Sequence, residues 1–153
     1  INRDVALLLK NKLIDYGYDQ TLIFLTRSSQ ETELSNADRY NYCNSQKAAV
    51  LISIHHNGSS DSSVDYVSAL YFKGEDKQIA DLVAQNISHD LVLTNNGISR
   101  FASGVLLKSK MPSTISEGFF LTSSKEYDLI KTSNRLDQEA GALLSAINSF
   151  FNK

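Results

Sequence analysis

The run Ala48-Ala49-Val50-Leu51-Ile52 leading into Ser53-Ile54-His55-His56-Asn57 constrains the fold more than any other stretch. It is apolar on both faces, the pattern of a strand covered on each side inside a mostly parallel sheet. The run then stops on two histidines and an asparagine. A strand end holds side chains rigidly while leaving them open to solvent, so polar residues there mark a candidate site rather than core. The design recurs in Pro112-Ser113-Thr114-Ile115-Ser116, which ends on Glu117 and continues as Gly118-Phe119-Phe120. A histidine ending one strand and a carboxylate ending another point toward metal-dependent hydrolysis.

The rest of the chain supplies the layers around such a sheet. Val5, Leu8, Leu9, Lys12, Leu13 and Tyr16 recur at spacings of three and four, predicting a helix over 2–16 with Lys12 snorkelling and Gly17 as its C-terminal cap. Leu22-Ile23-Phe24-Leu25 reads as a strand ending in Thr26-Arg27, and 28–34 as a polar loop. Ser35-Asn36-Ala37-Asp38 fits a capping box for a helix to about Gln46. The central strand is expected over 48–55, a surface loop over 57–64 and another strand over 67–72. Ile79, Leu82, Val83, Ile87 and Leu91 predict a helix over 75–93. Residues 94–104, rich in Asn, Gly and Ser, read as a long loop of the kind that is often functional. Val105-Leu106-Leu107 and Thr114-Ile115-Ser116 read as short strands. Ser123-Ser124-Lys125-Glu126 fits a second capping box, and a last helix from Asn134 carries Ala140, Leu143, Leu144, Ile147 and Phe151 on one face. Strands separated mostly by helices make an α/β three-layer α/β/α sandwich with a mostly parallel twisted sheet, as a single domain over 1–153.

Bulk properties narrow the function classes. A chain of 153 residues with a net charge of −2 is a poor candidate for binding nucleic acid by neutralising phosphates. No apolar run reaches the roughly eighteen residues of a membrane span, and no signal peptide is visible. The single cysteine, Cys43, forms no internal disulfide and reads as a buried, inert thiol, which is compatible with export. The chain opens directly on helical sequence, so the expectation is that an N-terminal segment with the first strand of the sheet lies upstream of Ile1. A monomer is the default.

Taken together, the motifs resemble the zinc-dependent N-acetylmuramoyl-L-alanine amidases of the amidase-3 family. Asn2 and the helix after it resemble the family's first helix, and Gly17-Tyr18 with Leu25-Thr26-Arg27 its "G-hydrophobic … TR" segment. Leu34, Arg39 and Asn44 resemble its "L…R…AN" helix, with Cys43 where alanine is usual. Ser53-Ile54-His55-His56-Asn57 matches "SIHxN", Asn96-Gly97-Ile98 resembles "RG-hydrophobic", and Met111-Pro112 through Glu117 and Phe120 resembles "P-x-x-L-x-E-x-G-F". Two departures stand out. Glycine follows the glutamate directly, as Gly118, with Phe119 at the family's glycine position. Of the family's three zinc ligands only the "SIHxN" histidine is present, the other histidine and a glutamate being expected upstream of Ile1.

The resemblance implies an exported peptidoglycan hydrolase of the periplasm or cell wall. It would cleave the amide between N-acetylmuramic acid and L-alanine of the stem peptide with zinc-activated water. His55 would be a zinc ligand and Glu117 the general base, then acid. Asn57, Asn96 and Arg100 are expected to touch substrate. From residue type alone, His55 reads first as a hydrogen-bonded, structural strand-end residue, and Glu117 also reads as a buried ion-pair partner. His56 points to the opposite face and is expected to be a non-ligand. His89 beside Asp90 reads as an exposed residue near a helix C-terminus. Arg27 and Arg39 read as loop anchors pairing with carboxylates. Two alternatives remain. One is a catalytically inactive amidase-like domain that binds peptidoglycan or a partner. The other is a zinc peptidase or deacylase of a different family, for which no HExxH or CxxC pattern exists.

Overall fold

A computed structural model describes residues 1–27 and 33–152. Along the chain lie α1 (Asn2–Tyr16), α2 (Asn36–Ser45), β1 (Leu51–Asn57), β2 (Val67–Tyr71), α3 (Lys77–Leu91), β3 (Asn95–Arg100), α4 (Gly104–Lys108), β4 (Ser113–Phe120), α5 (Ser124–Thr132) and α6 (Arg135–Phe150). The strands form one sheet in the order β1-β4-β2-β3. The β1/β4 and β2/β3 pairs are parallel and β2/β4 is antiparallel, so the sheet is mixed and mostly parallel.

Period-3.6 apolar faces place the helices. Val5, Leu9 and Leu13 of α1, Ile79, Val83 and Ile87 of α3, and Ala140, Leu143 and Ile147 of α6 are buried in one core. Ile52 and Ile54 of β1 pack against that core, whereas Leu51 joins Cys43, Val105 and Met111 in a smaller cluster that includes α2 and α4. Alternation along β1 thus feeds two helical layers, as the sandwich requires. Cys43 is buried, and burial pushes its thiol up, which agrees with an inert side chain.

The expected caps are in place. Gly17 takes a left-handed conformation at φ 109° and donates to the carbonyls of Leu13 and Ile14. Ser35 Oγ accepts from Asp38 N–H at 3.1 Å while Ser35 N–H donates to Asp38 Oδ2 at 2.9 Å, a complete capping box. At α5 only half of the second box forms. Ser123 Oγ accepts from Glu126 N–H at 3.4 Å, but the Glu126 carboxylate turns to Arg135, whose Nε lies 2.6 Å from its Oε2.

Three expected elements differ. The strand expected at Leu22–Leu25 is absent: Gln20–Leu22 is a short 3₁₀ turn capped by Asp19, and 23–25 joins no ladder among the described residues. The Asn/Gly-rich stretch expected as a loop contains β3, because β2 offers it a parallel partner. The ladder absorbs Gly97, at φ 77°, as a register shift between Val67 and Ala69. Val105-Leu106-Leu107 lies within helix α4 instead of a strand: Val105 and Leu106 are buried while Leu107 is exposed. The loop expected at 28–34 lies mostly outside the described residues. No helix among the described residues is long and apolar enough to cross a membrane.

Candidate active site

The parallel register of β1 against β4 puts His55 opposite Glu117. Both side chains line a groove of about 770 Å³ that follows the outer side of β1. Its walls come from α1, the 22–27 segment, α2 and the start of α4, with Arg39, Phe101 and Ser103 also in the lining. Phe101 is 51% exposed, an aromatic face open at this rim.

The electrostatics suit the two groups to different tasks. His55 is exposed, yet partial enclosure by protein pushes its pKa below the ordinary histidine value, helped by Arg39 and then His56. That favours the neutral imidazole, the form able to bind a metal. Burial pushes the Glu117 carboxyl up, and electrostatic interaction with neighbouring His56 pulls it partly back. Glu117 Oε2 is buried with no hydrogen-bond partner among the described residues. A carboxylate with a raised pKa and an unsatisfied oxygen is suited to moving a proton.

Zinc needs more donors than these. Catalytic zinc takes three protein ligands, and no group of three or more His, Cys, Asp or Glu residues able to hold a metal occurs among the described residues. His55 fits as one ligand and does not complete a set.

The other expected residues fall elsewhere. His56 lies on the opposite face, bonded to Asn2 and Glu139. His89 is on the surface, its Nδ1 2.8 Å from Asp90 Oδ1. Asn57 closes the strand end locally, its Oδ1 accepting from Gly58 N–H at 2.8 Å. Asn96 and Arg100 stand on β3, which β2 separates from β4. Arg100 stacks on the Phe72 ring at 4.4 Å and donates from Nε to the Phe72 carbonyl at 3.2 Å. None of Asn57, Asn96 and Arg100 lines the groove. Arg39 and Arg27 do, and Arg39 donates to the Leu34 carbonyl at 3.1 Å.

The sequence reading passes over Phe101 and Glu139, and takes Asn2 only as part of the helix that resembles the family's first. Only Glu139 leaves a signal: it interrupts the apolar stripe of α6, between Leu136 and Leu143, where an unpaired carboxylate would be costly.

Comparison with known proteins agrees with this fold. LytC, an N-acetylmuramoyl-L-alanine amidase of Bacillus subtilis (strain 168), is 28% identical over 155 aligned residues. That alignment takes in 99% of this chain but only 30% of LytC, so the chain spans about a third of that relative. The catalytic domain of CwlV, an N-acetylmuramoyl-L-alanine amidase from Bacillus (Paenibacillus) polymyxa var. colistinus, superposes with a TM-score of 0.87 at 23% identity, covering 97% of this chain and 82% of that one. An N-acetylmuramoyl-L-alanine amidase from Clostridium difficile 630 superposes with a TM-score of 0.84 at 27% identity, over 97% of this chain and 81% of the other. The family model described as N-acetylmuramoyl-L-alanine amidase matches residues 1–149, and the chain belongs to that family, Amidase_3.

Proposed function

We propose that this chain is the catalytic part of an exported peptidoglycan amidase that hydrolyses the amide between the lactyl group of N-acetylmuramic acid and L-alanine. The observation that carries this reading is the pairing of His55 with Glu117 across one ladder at the edge of an open groove. The named activity of LytC and CwlV supports the substrate class.

Glu117 takes the proton from the attacking water and delivers it to the departing alanine nitrogen. Burial raises its pKa, which makes the carboxylate a stronger base toward that proton. His55 would be one ligand of a zinc ion which, when bound, would polarise the carbonyl and acidify water. Phe101 offers a flat apolar face to the sugar or peptide at the rim. The working form is a monomer acting in the periplasm or cell wall.

The test uses the whole protein with purified muramoyl-peptide and mass-spectrometric detection of released peptide. Glu117→Gln is expected to abolish cleavage while zinc stays bound. His55→Ala is expected to lose both. Cleavage surviving in Glu117→Gln removes Glu117 as the proton carrier, and full zinc content in His55→Ala removes His55 from the ligand set.

One observation favours a second reading. A single histidine at the site and no three-donor cluster among the described residues suit a domain that holds peptidoglycan without cutting it. Retention on insoluble peptidoglycan with no released peptide, whatever zinc is supplied, is the result that selects it.

A further inference from the structure

Behind the candidate site lies a buried polar group that the proposed chemistry does not use. His56 follows His55 and therefore points into the layer of α1, α3 and α6. Its side chain and that of Glu139 are both 0% exposed. Nε2 of His56 lies 2.8 Å from Glu139 Oε2, and Nδ1 lies 2.6 Å from Asn2 Oδ1. The start of α1, the end of β1 and the middle of α6 meet at this one ring.

Glu139 also reaches the neighbouring strand. Its Oε1 has no hydrogen-bond partner, and a Cβ added to Gly118 would sit 2.3 Å from it. Only glycine leaves room for that oxygen. The ladder is irregular at the same place: His55 faces Glu117, but Asn57 faces Phe120, so β4 holds one extra residue in the interval. That bulge lets Gly118 and Phe119 both turn toward the layer containing α6, with the Phe119 ring 4.2 Å from His56. One carboxylate thus bonds the residue after His55 through one oxygen and, with the other, fills the space that a side chain would need on the residue after Glu117. This accounts for glycine directly following Glu117, a position earlier than the family pattern.

We propose that Asn2, His56 and Glu139 are positioning residues that hold the backbone under His55 and Glu117 from the opposite face of the sheet. The proposal rests on the reading of those two residues as the reacting site. It differs from a plain structural staple in what it makes rigid: the two strand positions that carry the chemistry.

The experiment combines Glu139→Gln, Gly118→Ala and the double variant Gly118→Ala/Glu139→Ala in the whole protein. Muramoyl-peptide hydrolysis, zinc affinity and thermal midpoint are measured for each. Glu139→Gln is expected to lower kcat roughly tenfold or more, as small misplacements of reacting groups do, with KM nearly unchanged. Gly118→Ala is expected to destabilise through the clash, and removing the carboxylate in the double variant to recover the midpoint without recovering kcat. Recovery of kcat together with the midpoint reduces the group to a staple and overturns the proposal. So does Glu139→Gln with kcat and zinc affinity both at wild-type levels. Should the wild type cleave nothing, the proposed function fails separately, and the ring-nitrogen NMR signals of His55 decide the positioning role. Displaced signals in Glu139→Gln support it, and unmoved signals overturn it.

Discussion

At the scale of single residues, the sheet takes Glu117 partly out of water and gives one of its oxygens no partner. Its folded-state pKa is therefore above that of the unfolded chain, so the native state holds the proton more tightly. The stability this contributes is fully present below the unfolded pKa and is lost as pH rises through the folded value. In the metal-free protein, Glu117→Gln is accordingly expected to raise the thermal midpoint by a few degrees at pH 7 to 8, a gain that disappears below about pH 4. The same variant is expected to show no detectable hydrolysis, since general acid–base catalysis contributes about 10²–10⁴-fold. Calorimetry across pH, set beside the activity assay, checks both. A midpoint that fails to rise at neutral pH removes the claim that this carboxylate is strained by burial. Activity and stability moving in opposite directions is what distinguishes a working group from a structural one here.

At the scale of elements, the join between α5 and α6 depends on one buried ion pair. Arg135 is 4% exposed, fastened to Glu126 by two nitrogens and to the Leu91 carbonyl at the end of α3 at 3.0 Å. Glu126→Ala leaves that guanidinium buried and unpaired, and the expected cost is about 3–5 kcal/mol. Replacing both partners with leucine is expected to cost much less, because no charge is left stranded. Denaturant titration of both variants decides this, and equal losses would mean that packing rather than charge holds the join. The same region marks how far local sequence reaches. Ser123 at the cap was legible because capping chemistry lies within four residues, as it was at Gly17 and Ser35. The turn of Glu126 away from its box was not, since Arg135 is nine positions on and one helix away. Strand β3 was hidden for a similar reason: Asn95-Asn96-Gly97 has no strand propensity, and its pairing comes from β2. The trio Val105-Leu106-Leu107 is too short for its period to separate helix from strand. His55 and Glu117 were legible as candidates because polar residues ending apolar strands are conspicuous, whereas Phe101 joins the groove through tertiary placement alone.

At the scale of the whole molecule, β1 has the composition of an interior strand and the position of an edge strand. Its only ladder partner among the described residues is β4. Leu51 N–H donates to Pro112 and the Asn57 carbonyl accepts from Leu121, so alternate residues face that side. By the same alternation Ile52, Ile54 and His56 direct their backbone groups toward the groove. Leu9, Leu13, Ile23 and Cys43 line it. A long apolar edge left open invites another strand, and one strand added here would stand beside His55, the proposed zinc ligand. A polypeptide limited to these 153 residues is therefore expected to carry no stoichiometric zinc in native mass spectrometry and to exchange the Ile52 and Ile54 amides faster than that of Ile115. Supplying a segment that pairs with β1 and bears further zinc-ligating side chains should protect those amides and bring in one zinc together. Ile52 and Ile54 already as protected as Ile115 in the shorter polypeptide would show the edge covered by other means and overturn this pairing. Zinc arriving without amide protection would separate metal binding from completion of the sheet.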